Sequence, residues 1–201
     1  MDLLVHVRDH VILSAAALAA ALFIALPVAA SLARAGLARS AWLGAIGTAR
    51  VIPSLAVLAL MLPLIGIGFA PSFVALTLLA IPPIAINTDL GLRGVPAAVR
   101  EAARGLGMSE QQIGLRVDWP LALPIVFSGV RTATVEVIAS ATLAGFIGGG
   151  GLGEYVINAL AANQMPQLLE GAAGVAMLAL LADTSLAALE RCFAYTEMRP
   201  A

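Results

Sequence analysis

Charge-free apolar runs alternate with short arginine-bearing segments along this chain, and the runs are longer than a soluble core needs. Residues 11–33 give 23 uncharged positions between His10 and Arg34, enough helix to cross a ~30 Å hydrocarbon layer. Pro27 inside it is tolerable in a membrane helix. Residues 51–88 give 38 more. Pro63, Gly66, Gly68 and Pro71 divide them into two helices near 49–65 and 72–88, with Pro53 in the first turn of the former. Further runs cover about 121–145 and 168–189, the latter after a mixed loop that ends near Gln167. The pattern predicts an all-α polytopic membrane protein, with one domain over 1–201, five transmembrane helices and a polar segment at 89–120.

Composition agrees. Only 11% of residues are charged, against about a quarter in soluble domains. All eleven basic residues are arginine, and the missing lysine excludes P-loop ATP hydrolysis and Schiff-base chemistry. A single cysteine, Cys192, forms no internal disulfide, and His6 and His10, placed before the first span, give no zinc site of the usual spacing. Asp2 and Asp9, with no basic n-region, read the first run as a retained span, not a signal peptide. With the N-terminus outside, the inner segments hold nine arginines, Arg199 among them, and the outer ones only Arg8. The positive-inside rule then places the C-terminus and residues 89–120 in the cytoplasm.

Within that segment, Glu101–Pro120 is a polar island. Ala102 and Ala103 leave a helix with little bulk, so a partner can approach its backbone. Glu101 beside them suits an arginine or a helix N-terminus. Gly105 and Gly107 interrupt the helix. Ser109 with Gln112 predicts a capping box for a second helix, whose apolar face carries Ile113 and Val117 and which Pro120 ends. On these residues alone, an interfacial helix pair with only a topological role is an equal reading.

The spacing adds a resemblance. Glu101-Ala102-Ala103, three residues, Gly107, nine residues and Val117-Asp118-Trp119-Pro120 resemble the EAA motif of ABC importer permeases. Ile52-Pro53-Ser54, Leu62-Pro63-Leu64, Asn87-Thr88, Arg131-Thr132-Ala133-Thr134 and Gly149–Gly153 look like the osmoprotectant branch. The resemblance implies a type I, methionine-permease-like fold in the bacterial inner membrane. It makes Glu101, Ala102, Ala103, Gly107, Val117 and Pro120 the contact to a cytoplasmic ATP-binding subunit. It implies a second permease, the same or homologous, an external substrate-binding protein, and a glycine betaine, choline or related quaternary-amine substrate. It implies no catalysis, cofactor or nucleic acid. An amino-acid or thiol-betaine permease is the nearest alternative; an intramembrane enzyme and a membrane adaptor or sensor are the alternatives of other classes.

Other positions stand out. The run at 148–153 satisfies G-x-G-x-x-G but follows a membrane helix instead of a strand. It reads as a helix cap and re-entrant turn near the outer mouth, carried by Gly149, Gly150, Gly151 and Gly153. Glu154 and Tyr155 then meet an external partner or sit in a solvated loop. Ionisable groups at membrane depth are costly and seldom idle. Arg131 and Asp183 lie at depths that predict a cross-span ion pair. Glu136, about 140° around the helix from Arg131, either lines a watery path or hydrogen-bonds a neighbouring helix or partner copy; the second is favoured. Aromatic residues make up 5%, too few for a quaternary-ammonium cage. Trp42 and Trp119 flank spans, as interfacial anchors do.

Overall fold

A computed structural model describes residues 2–197, so Arg199 of the arginine count lies outside the described residues. Those residues form nine α-helices and no strand. The first, α1 (Leu3–Leu32), begins well before residue 11, so His6 and His10 are inside it. Its buried stripe begins with His10, Leu13 and Ser14 and from residue 17 is all alanine, with Ala17, Ala21, Ala25 and Ala29 at most 2% exposed. Small residues at this spacing let helices approach closely in a membrane, where dispersion and not water exclusion drives packing.

The expected helix at 49–65 is shorter, starting only at Ser54, and an unexpected helix precedes it. α2 (Leu37–Ala49) and α3 (Ser54–Ile65) meet at 96°, and α2 occupies what reads in sequence as a short basic segment. Pro53 explains the break: it has no N–H and disfavours helical geometry at Ile52, so it stands just before α3 and not within its first turn. Twelve residues give about 18 Å of helix, too little to cross alone. α4 (Phe69–Gly94) follows and is the most buried element, with Pro82 and Pro83 inside. It overruns residue 88 because Asp89 is satisfied within the fold: Arg39 of α2 donates to both its oxygens, at 2.5 and 2.6 Å.

After α5 (Ala97–Gly105) and α6 (Glu110–Ile113), a wide π turn at Gly114–Asp118 leads into α7 (Trp119–Leu143). Pro120 therefore does not end the second island helix; one rod runs from Glu110 to Ile147. The Trp119 amide bonds to the Gly114 carbonyl five residues back. That widened turn gives the Pro120 ring room beside a carbonyl it would otherwise strike. A short 3-10 turn and glycines lead to α8 (Gly151–Ala161), where the sequence predicted a loop, and then α9 (Met165–Glu197).

α4 and α7 pack closely through glycines. A Cβ on Gly129 would lie 2.5 Å from Asn87 Cβ and 2.8 Å from the Pro83 carbonyl, and one on Gly91 would lie 2.9 Å from the Ala122 carbonyl. α9 is outermost, with Leu169, Met177, Leu180 and Leu181 exposed, as a lipid-facing helix requires. Among the described residues, four helical segments are long and apolar enough to cross a membrane, and five if α2 and α3 form one bent span.

Candidate functional site

Local chemistry shapes the island. Leu106 caps α5, and Gly107 follows with φ of +81°. The Met108 amide bonds to the Ala103 carbonyl at 3.2 Å and the Gly107 amide to that of Arg104 at 2.9 Å, the paired bonds of a Schellman turn. Gly105 remains inside the helix. The capping box on α6 is present: the Gln112 amide donates to Ser109 Oγ at 3.3 Å and the Ser109 amide to Gln112 Oε1 at 2.9 Å. Glu101, Ala102 and Gly107 are exposed, whereas Ala103 is buried, Val117 is half-buried and Pro120 is exposed where α7 begins. Leu106 and Leu115 are 84% and 72% exposed on the same segment. The island thus presents a carboxylate, bare backbone and two large apolar side chains outward.

A chain of charges anchors it from behind, and Asp118 is the centre. Its carboxylate, 3% exposed, accepts from Arg100 Nε at 2.7 Å and from Arg34. Arg100 also donates to the Leu92 carbonyl at 2.7 Å. Arg34 reaches Glu110 at 3.5 Å, and Glu110 accepts from Arg104 Nε at 2.7 Å. That hydrogen bond holds the Arg104 guanidinium above its usual range. The end of α1 is thereby tied to α5, α6 and the π turn. Sequence reading counted these arginines for topology and assigned them no partners. The available signal was Asp118 itself, an acid between two apolar residues that half-bury.

Within the spans, Arg131 and Asp183 form the expected pair, a two-pronged contact joining α7 to α9, with one arm at 2.7 Å. Glu190 stands 3.8 Å from Arg131. Glu136 is half-buried and lines one open depression with Arg131 and Asp183, and no ion pair or hydrogen bond to it occurs among the described residues. The Gly149–Gly153 turn is packed inside the protein: Gly149, Gly151 and Gly153 are buried. A Cβ on them would meet Ser72 Oγ at 2.4 Å, the His10 backbone at 2.9 Å and the Thr142 carbonyl at 2.2 Å. Tyr155 is buried too, stacked edge-on against His6 and donating to Glu170 at 3.0 Å; it is neither in a solvated loop nor open to a partner. His10 donates from Nε2 to the Ile138 carbonyl at 3.0 Å, a fastener between α1 and α7.

Residues 11–194 match the family model described as "Binding-protein-dependent transport system inner membrane component". The chain belongs to that family. It is a membrane-spanning permease component of an ATP-driven import system, not an enzyme. Over 191 residues it is 39% identical to the glycine betaine/carnitine/choline transport system permease protein OpuCB of Bacillus subtilis strain 168, covering 94% of this chain and 88% of that one. The choline transport system permease protein OpuBB of the same strain is 37% identical over 190 residues, with 94% and 88% covered. The osmoprotectant import permease protein OsmW of Salmonella typhimurium strain LT2 is 36% identical over 187 residues, with 90% and 87% covered. In fold, the permease superposes on a chain of the inward-facing MetNI methionine ABC transporter with a TM-score of 0.83 at 24% identity, covering 95% and 96% of the two chains.

Proposed function

We propose that this permease carries a small quaternary-ammonium osmoprotectant, of the glycine betaine, carnitine or choline kind, as half of an alternating-access pathway. Kinship supports the substrate class: relatives named for these compounds match the permease over most of its length. The observation that carries the coupling role is the outward face of the island, Glu101, Ala102 and Gly107 beside exposed Leu106. That face docks on the cytoplasmic ATP-binding subunit. Movement there passes through the Asp118 charge chain into α1 and α7. Ala103, Val117 and Pro120 serve the dock from within, by shaping its backbone.

A second permease faces this one, and an external binding protein delivers substrate, since five aromatic residues in a hundred leave too few rings for a tight cage. The turn at Gly149–Gly153 lies toward the outer side. The start of α1 is outside and the end of α9 inside, as the arginine asymmetry favours. A membrane-impermeant maleimide tests this on intact cells. It should label Asp2→Cys in a Cys192→Ser background; labelling only after lysis would reverse the topology. Function is tested by reconstituting the permease with its ATP-binding subunit and binding protein in liposomes. ATP-dependent uptake of labelled glycine betaine or choline is expected, and uptake of neither contradicts the substrate reading.

A further inference from the structure

The α2–α3 bend borders an open cavity of about 430 Å³ against α4 and α7, within the ~300–1,000 Å³ usual for small-molecule sites. Its walls are apolar, including Val57, Met61 and Pro82, with three polar exceptions: Trp42, Arg50 and Glu136. Each exception lacks a partner. The Trp42 indole nitrogen is buried and makes no hydrogen bond, although it can only donate. Arg50 and Glu136 line the same space, yet neither joins an ion pair among the described residues. A buried donor is costly to leave unmet; Glu136 is half-buried beside it, and Arg50 stands exposed at the cavity's edge.

The surroundings favour a wet face. Ser128, Thr132 and Glu136 recur every fourth residue along α7, on one side of the helix. Ser128 and Thr132 are exposed, and a second, open depression of about 490 Å³ runs past them to Glu136. Charge and hydroxyls on an otherwise apolar membrane helix belong against water or protein, not lipid. α9 borders this depression through Asp183 and elsewhere carries the lipid-type surface of exposed Leu169, Met177, Leu180 and Leu181.

We propose that this cavity is the permease's own transient substrate site, with Glu136 facing the trimethylammonium group and Arg50 and the Trp42 N–H receiving a carboxylate. The assignment rests on the quaternary-ammonium reading above and adds a selectivity rule to it. Glycine betaine and carnitine carry both charges and engage all three residues. Choline offers a hydroxyl in place of the carboxylate and loses the Arg50 contact. One carboxylate and one indole make a weak site, which suits a compartment that must release what it takes in.

The test uses the full complex in liposomes, measuring ATP-driven uptake of labelled glycine betaine and choline at saturating concentration, with co-elution of the ATP-binding subunit as the check on assembly. Glu136→Gln should lower uptake of every transported compound about tenfold, with Glu136→Asp recovering part of it; tenfold is the effect of one modest charge contact. Arg50→Gln should lower the glycine betaine to choline ratio about tenfold. Normal uptake by an assembled Glu136→Gln complex, or an Arg50→Gln complex with the wild-type ratio, overturns the site while leaving the substrate reading standing. A wild-type complex that carries neither compound overturns both. If Glu136→Gln fails to assemble, the Arg50→Gln ratio decides, and if only one compound is carried, the Glu136→Gln arm decides.

Discussion

At the residue scale, the molecule separates two uses of charge. Asp118, Asp89 and Asp183 are each held by arginine, so their roles are to fasten helices. Removing one partner strands the other, which costs far more than the intact pair contributes. Asp118→Ala should therefore lower the melting temperature in detergent more than Glu110→Ala, because Asp118 is 3% exposed and Glu110 57%. Equal losses would mean the buried carboxylate is not the anchor. For Arg131 and Asp183 the prediction is a cycle: each single alanine lowers stability, and the double variant loses less than the sum of the two. Additive losses would deny the coupling. Gly107 carries a different demand. Its backbone is left-handed, with open space where a Cβ would go, so Gly107→Ala should cost about 1–2 kcal/mol of local conformational energy and no steric clash. The expected result is a folded permease with weakened ATP-binding-subunit retention. Full retention would show that the turn's shape is dispensable.

At the element scale, legibility followed chemistry. The long apolar runs gave α1, α4, α7 and α9, and the Ser109 box gave α6, because hydrophobic length and capping are local properties. The sequence pattern missed α2, whose arginines mimic a loop until Arg39 finds Asp89, fifty positions away. It ended α4 too early for the same reason, since Asp89 is polar in sequence and paired in space. It stopped the island at Pro120 because a proline normally breaks a helix, and the π turn that rescues it leaves no mark in composition. The glycine turn was visible as a turn but not as a packing joint. Its close contacts with α1 and α4 come from distant stretches, His10 and Ser72. A prediction follows for that joint. Gly153→Val places a branched side chain where even a Cβ lies 2.2 Å from the Thr142 carbonyl, and overpacking costs about 1–3 kcal/mol or more. Loss of folded protein in size-exclusion chromatography is expected, and a normal monodisperse yield would contradict the packing.

At the scale of the whole molecule, the parts form a sequence of levers. The island stands outside the spans; the Asp118 network ties it to the end of α1 and the start of α7. α7 then carries the polar face and Glu136 deep into the spans. In the proposed coupling, movement at the exposed face reaches the pathway helices along one continuous helical segment, Glu110–Ile147, without a loop to absorb it. The charge pairs set the lever's fulcrums, and the small-residue seams between α1, α4 and α7 make the body it turns against. The central claim is that the Glu101 face transmits the ATP cycle to the pathway. The most direct measurement is the ratio of substrate imported to ATP hydrolysed in liposomes, for the wild-type complex and for Glu101→Arg, with membrane insertion checked for both. The account predicts that Glu101→Arg inserts normally and that its ratio falls toward zero; a ratio equal to wild type contradicts it.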